Sequence, residues 1–308
     1  DSPDGTYARD ALLNGPAEVE YYQGKIFISD LMNRNIKIID ESFKIFKIGD
    51  IADISLIKEG DSLVDTAIPF PVDFIVDDYV YCLSADLHIF SIDLFKVEKI
   101  IFTENPGIIF LNDEKNMLTG KNGQFFYSDY DEHKIYKITN GLKEIYVQGG
   151  INPITIGEGI SKDNYGLINP KGIYFDGTRL YFSDSGNNKI KFVENDLVYT
   201  FVGSYVENQF YDGILSSDYN IKTPDFIKAY SNKFFVLESD TGKLIVVKDN
   251  RLFSVTYNSG APGSILEPLP PDTAGLINPR DVTVDPDGNL YVADTGNNAI
   301  RMVVGGAL

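Results

Sequence analysis

The chain has 308 residues, a formal net charge of −18 at pH 7, one cysteine, two histidines and no tryptophan. Such an excess of carboxylates repels phosphate backbones and anionic lipid headgroups, so nucleic acid is excluded as a partner and basic ligands or divalent cations are favoured. A lone Cys allows neither an intramolecular disulfide nor a cysteine-based zinc site, and no apolar run reaches the roughly 18–20 residues of a membrane helix.

In chain order the sequence repeats one sentence. The first copy runs from Asn14-Gly-Pro16 through Lys25-Ile-Phe-Ile-Ser-Asp30 to Asn33-Arg-Asn-Ile36. A second, degenerate copy places Ser84 in Tyr81-Cys-Leu-Ser at the position of Asp30, and a third closes at Asp129. The fourth, Ile168-Asn-Pro-Lys-Gly-Ile-Tyr-Phe-Asp-Gly-Thr-Arg-Leu-Tyr-Phe-Ser-Asp184-Ser-Gly-Asn-Asn, is matched almost word for word by the sixth, Ile277-Asn-Pro-Arg-Asp…Leu290-Tyr-Val-Ala-Asp294-Thr-Gly-Asn-Asn. Between them a degenerate fifth copy puts Glu238 at the marker position. Short runs of Val, Ile, Tyr and Phe punctuated by Asp-Gly and Asn-Gly predict strands joined by tight turns. No stretch keeps a helical period. Markers at 30, 84, 129, 184, 238 and 294 recur at intervals of roughly fifty residues, the length of one four-stranded propeller blade. The expected fold is all-β: a single six-bladed β-propeller over residues 1–308.

The Pro-x-Gly/Asp…Asp-Gly-x-Leu-Tyr-Val-Ala-Asp-x-Gly-Asn-Asn pattern resembles the NHL repeat. That resemblance implies a six-bladed propeller and, most commonly, a non-catalytic module that binds protein, peptide or glycan. It also implies a secreted or extracytoplasmic setting, since the long linkers are similar to those of surface NHL proteins. The chain opens without Met or a signal-peptide pattern, as a mature or excised segment would.

The repeated Asp and Asn read as structural, because both side chains bind backbone amides in turns. Asp285-Pro-Asp-Gly-Asn289 lacks the downstream Glu of a calcium loop and reads as a turn. Cys82, in a strand between Tyr81 and Leu83, reads as a buried, inert thiol. His88 and His133 occupy one turn position in adjacent blades and read as exposed side chains, too far apart for a zinc site. No Ser/His/Asp or Cys/His set can be assembled.

Two candidate sites remain. The residue two after each repeat proline is usually Gly in NHL repeats, and here an alignment of the units puts Glu18, Asp73, Asn116 and Asp281 at that position in four consecutive blades. Clustered oxygen ligands suit a hard cation such as calcium. A metal there resembles the channel-mouth ion of calcium-dependent lactonases and phosphotriesterases, which gives the alternative, hydrolytic reading. The second candidate is the long return-loop face, with Tyr165, Tyr205, Phe210, Tyr211, Asp212 and Tyr257. Exposed aromatics beside acids anchor interfaces, and here they favour a basic partner.

The last blade has few residues after Asp294. It is expected to lack its outer strand and leave Ile300–Val303 as an edge. Asp1-Ser-Pro-Asp-Gly-Thr-Tyr parallels Tyr211-Asp-Gly-Ile and is expected to be the tail of a return loop rather than the missing strand.

Overall fold

The structure, a computed structural model, describes residues 3–48, 71–76, 80–84, 88–93, 96–103, 117–149, 158–238, 241–256 and 275–304. The described residues form six antiparallel sheets. Sheet I is built from Pro16–Tyr22, Lys25–Asp30, Asn35–Ile39 and Lys44–Ile48, and sheet II from Pro71–Val76, Val80–Ser84, His88–Asp93 and Lys96–Thr103. Sheet III holds Leu118–Lys121, Gln124–Asp129, Lys134–Thr139 and Leu142–Val147. Sheet IV holds Pro170–Phe175, Leu180–Asp184, Lys189–Glu194 and Leu197–Val202, and sheet V holds Pro224–Tyr230, Lys233–Glu238, Lys243–Lys248 and Arg251–Ser254. Sheet VI has three strands, Pro279–Val284, Leu290–Asp294 and Ala299–Val303. Among the described residues five sheets therefore carry the four strands of a full blade and the last carries three, so the expected six-bladed propeller is seen as five full blades and a partial one.

Contacts divide the chain into two compact units. One comprises Asp1–Glu114, Asn140–Leu142 and Asp281–Ala307, and so holds sheets I and II and most of VI. The other comprises Lys115–Thr139, Lys143–Arg280 and Leu308, with sheets III, IV and V. In the first unit Val19, Ile26, Ile28 and Ile45 of sheet I pack with Tyr291 and Ala293 of sheet VI. In the second, Phe126 and Ile135 of sheet III meet Ile173, Leu180 and Phe182 of sheet IV. On its opposite face sheet IV presents Tyr181 and Ile190 to Ile227, Val236 and Ile245 of sheet V. Sheet IV thus buries alternate residues on both faces, which is why its strands read as nearly continuous apolar runs.

The opening residues behave as a return-loop tail. Thr6–Tyr7 pairs with Ile45 and Lys44, adding a fifth strand to the outer edge of sheet I rather than completing sheet VI. Ile160–Ser161 and Ile214–Leu215 do the same on sheets IV and V. Thr6, Ile160 and Ile214 lie the same distance ahead of Pro16, Pro170 and Pro224, and each follows an acid and a glycine. Gly5, Gly159 and Gly213 take φ of +79°, +69° and +87°, a left-handed turn that costs glycine little. The preceding acid then accepts an outer-strand N–H: Lys47 to Asp4 at 2.7 Å, Thr200 to Glu158 at 2.7 Å and Ser254 to Asp212 at 2.8 Å.

Candidate functional site

The marker acid is a clamp in sheets I, IV and V. Asp30 accepts the N–H of Asn14 at 2.7 Å, Asp184 that of Ile168 at 2.9 Å, and Glu238 that of Lys222 at 2.8 Å, each sixteen residues upstream. Its second oxygen takes the side-chain amide three residues on: Asn33 on Asp30 and Asn187 on Asp184, both at 2.8 Å. In sheet VI Asn297 donates to Asp294 in the same way, at 2.7 Å. A buried charge needs compensation, and each sheet supplies it differently. Lys37 lies 3.4 Å from Asp30, Arg301 2.9 Å from Asp294 and Lys243 3.6 Å from Glu238. Asp184 instead receives the Tyr165 hydroxyl at 2.5 Å, and burial pushes its carboxyl above the usual range. The expectation that this acid serves the blade holds in these sheets.

The asparagine after the clamp links neighbours. Asn188 Oδ1 accepts the N–H of Thr223 from the loop entering sheet V at 2.9 Å, and Asn298 Oδ1 that of Gly15 entering sheet I at 2.7 Å. His133 stands at this position in sheet III, with a φ of 58°, and its Nδ1 accepts the N–H of Asn169 at 3.1 Å. It is half-buried, not the exposed side chain expected from its turn. The clue was positional: His133 takes the place of the second Asn in Asp-x-x-Asn-Asn. His133→Asn should therefore leave the urea midpoint essentially unchanged. His133→Leu, which strands the Asn169 N–H and strains the backbone, should cost about 1–2 kcal/mol.

The acids proposed as cation ligands are buried at the starts of inner strands: Glu18, Asp73 and Asp281. Asp281 is spent on the fold. Its Oδ2 accepts the Val19 N–H at 2.9 Å and its Oδ1 the Val282 N–H at 2.7 Å, joining sheets VI and I. Beside it Tyr21 N–H donates to Thr283 Oγ1 at 3.0 Å, and that hydroxyl donates to Glu20 at 3.0 Å. Asn116 lies outside the described residues, and the register corrects its alignment. Leu118 pairs with Tyr127 as Val19 pairs with Ile28, so Met117 is the counterpart of Glu18. An apolar side chain there removes one oxygen from the proposed set. Among the described residues no group of three or more His, Cys, Asp or Glu side chains is placed to hold a metal ion. Asp285 closes its turn by accepting Asn289 N–H and Nδ2, both at 2.8 Å.

The return-loop candidates separate into two kinds. Tyr165 is only 4% exposed and belongs to the Asp184 clamp, correcting its placement on the surface. Tyr219 does the same for Glu238 at 2.8 Å. Phe210 packs edge-on against Tyr219 at 5.2 Å and staples the loop to sheet V, and the Asp212 carboxylate turns back to Ser254. Tyr257 lies outside the described residues, as do the side chains of Cys82 and His88. Tyr205 and Tyr211 remain outward, 66% and 62% exposed, with Val206 at 63% between them.

The NHL repeat family matches residues 276–301, the core of the sixth unit. No curated protein matches the chain. Among solved structures it is similar to a Bacteroides thetaiotaomicron protein of unknown function, with 13% identity and a TM-score of 0.69 over 99% of this chain and 72% of that one. An auxiliary nutrient binding protein of Bacteroides ovatus gives 12% identity and a TM-score of 0.63 over 94% of this chain and 69% of that one. A chain of a nidogen/laminin complex gives 15% identity and a TM-score of 0.56 over 91% and 88%. At such identities the likeness carries the all-β propeller fold and no ligand. With the NHL repeat matched in its sixth unit and the same clamp recurring from sheet to sheet, the chain carries NHL-repeat sequence on an all-β propeller fold, which supports the NHL-repeat β-propeller resemblance.

Proposed function

We propose that the chain is a non-catalytic binding propeller, its six sheets the blades of one domain, and that the loop face of sheets IV and V takes a basic segment of another protein. One observation carries this reading: Tyr205, Val206 and Tyr211 point outward from a loop that is itself tied down. Asn208 Nδ2 donates to the Asp218 carbonyl at 2.8 Å, Lys222 bridges Glu207 at 2.8 Å, and Phe210 is packed inward. Aromatics held in place before binding lose little entropy on contact, which is what an interface anchor requires. Glu158, Glu207, Asp212 and Asp218 are exposed on the same stretch of sheets IV and V and match a basic partner. Two similar structures, an auxiliary nutrient binding protein and a chain of a nidogen/laminin complex, accord with a binding module.

The test is a screen of Lys/Arg-rich, neutral and acidic peptides alongside neutral glycans. Basic peptides should bind, and affinity should fall as salt is raised. Tyr205→Ala with Tyr211→Ala should weaken binding at least tenfold, as hot-spot truncation does. Salt-independent binding of a neutral glycan, or basic-peptide binding untouched by the double substitution, would count against the proposal.

A further inference from the structure

Lys189 opens the third strand of sheet IV and is only 2% exposed. Unlike Lys37 and Lys243 it has no carboxylate within ion-pair distance among the described residues. Its Nζ donates to the Ser204 carbonyl at 2.7 Å and more weakly to the Asn188 carbonyl at 3.4 Å, and lies 4.1 Å from the centre of the Tyr205 ring. The chain crosses flush over its stem: Gly203 has a φ of +131°, and a Cβ there would stand 2.5 Å from Lys189 Cδ. The charge is therefore buried beneath a strap of Gly203, Ser204 and Tyr205, whose outer ring face is the binding anchor described above.

We propose that this strap and Lys189 form a protonation-sensitive latch that sets how firmly Tyr205 is held on the binding face, a regulation that rests on Tyr205 being part of that face. Burial, reinforced by Lys191 alongside and opposed by Asp184, lowers the Lys189 amine to about 8. Facing the same space are Lys191 on its own strand, Asp184 on the next, Glu158 and Tyr165 from the preceding return loop, and Tyr205 itself. Lifting the strap would hydrate the amine and restore it to an ordinary lysine. The open form thus holds the proton more tightly than the closed one. Protonation favours opening, and the closed form gains as pH rises through about 8 towards the ordinary lysine range.

Because the chain has no tryptophan, Tyr205→Trp installs a single reporter. Its emission should titrate with a midpoint near 8, and acrylamide quenching should fall towards the alkaline end. Lys189→Met and Lys189→Arg in the same background should flatten the titration; the arginine variant keeps a cation and guards against loss of fold. Lys191→Met should keep the titration and move its midpoint up. A flat trace with Lys189 present, a titration that survives both Lys189 variants, or quenching that rises with pH would overturn the latch. None of these readings uses a ligand. A flat trace with peptide binding intact removes the latch and leaves the face, whereas a titration without any peptide binding does the reverse.

Discussion

Asp30→Ala should be among the most damaging single changes in the first unit, costing about 3–5 kcal/mol in urea unfolding. The carboxylate accepts the Asn14 amide and the Asn33 side chain and sits 3.4 Å from Lys37, whose side chain is 1% exposed. Its removal takes the Asp30 carboxylate away from an ammonium in the core of sheet I, which costs more than the pair contributes while intact. Lys37→Met should cost less, because Asp30 keeps both hydrogen bonds. The double variant should be milder than the sum of the two, with a coupling of about 1 kcal/mol or more. If Asp30→Ala unfolds within 1 kcal/mol of the parent, the clamp is not what holds this sheet.

Gly172→Ala should destabilise the second unit by about 1–3 kcal/mol or more through overpacking. A Cβ at Gly172 would stand 2.5 Å from Phe226 Cα and 2.7 Å from Ile227 N, backbone atoms of the next sheet that cannot swing aside. The matched control is Gly288→Ala, where nothing lies within 4 Å and only the left-handed φ of +83° is at stake. That change should cost about 1 kcal/mol or less. Equal costs at the two positions would show that backbone conformation, and not the approach of sheets IV and V, explains the glycine. The same position carries Asp281 in sheet VI, where the carboxylate reaches Val19 across the join to sheet I. Sheets thus meet by two devices at one position: a missing side chain in one place and a hydrogen-bonding one in another.

The strands were legible because most units name their own ends, with proline opening the inner strand and an acid, usually Asp, closing the next. The structural role of that Asp was legible too, since a residue repeated in every blade serves what every blade shares. Legibility failed where the pattern thins. The third unit has no proline at the start of its inner strand, and inner strands such as Pro170–Phe175 carry a register shift after their first residue, so counting from one end alone misplaces Asn116. Tyr165 looked like a surface aromatic because its partner, Asp184, is nineteen residues away. Only the fold brings hydroxyl and carboxylate together. Asp4-Gly5 and Asp212-Gly213 were seen to correspond, but Glu158-Gly159 was not, because the longer acid hides a shared geometry.

The two-residue strands that finish sheets I, IV and V also shape how the molecules meet in concentrated solution. A bare outer strand of four to six residues would offer a ladder on which another chain could extend, the usual start of β-aggregation. Here the last ladder is two residues long. Just upstream, the N–H groups of Gly5, Gly159 and Gly213 are already bonded to Ile45, Val198 and Leu252. A visiting segment finds a blunt end with a left-handed turn beside it and no register to follow. At those three sheets, an acid and a glycine ahead of each repeat are enough to discourage the protein from polymerising through its own edges.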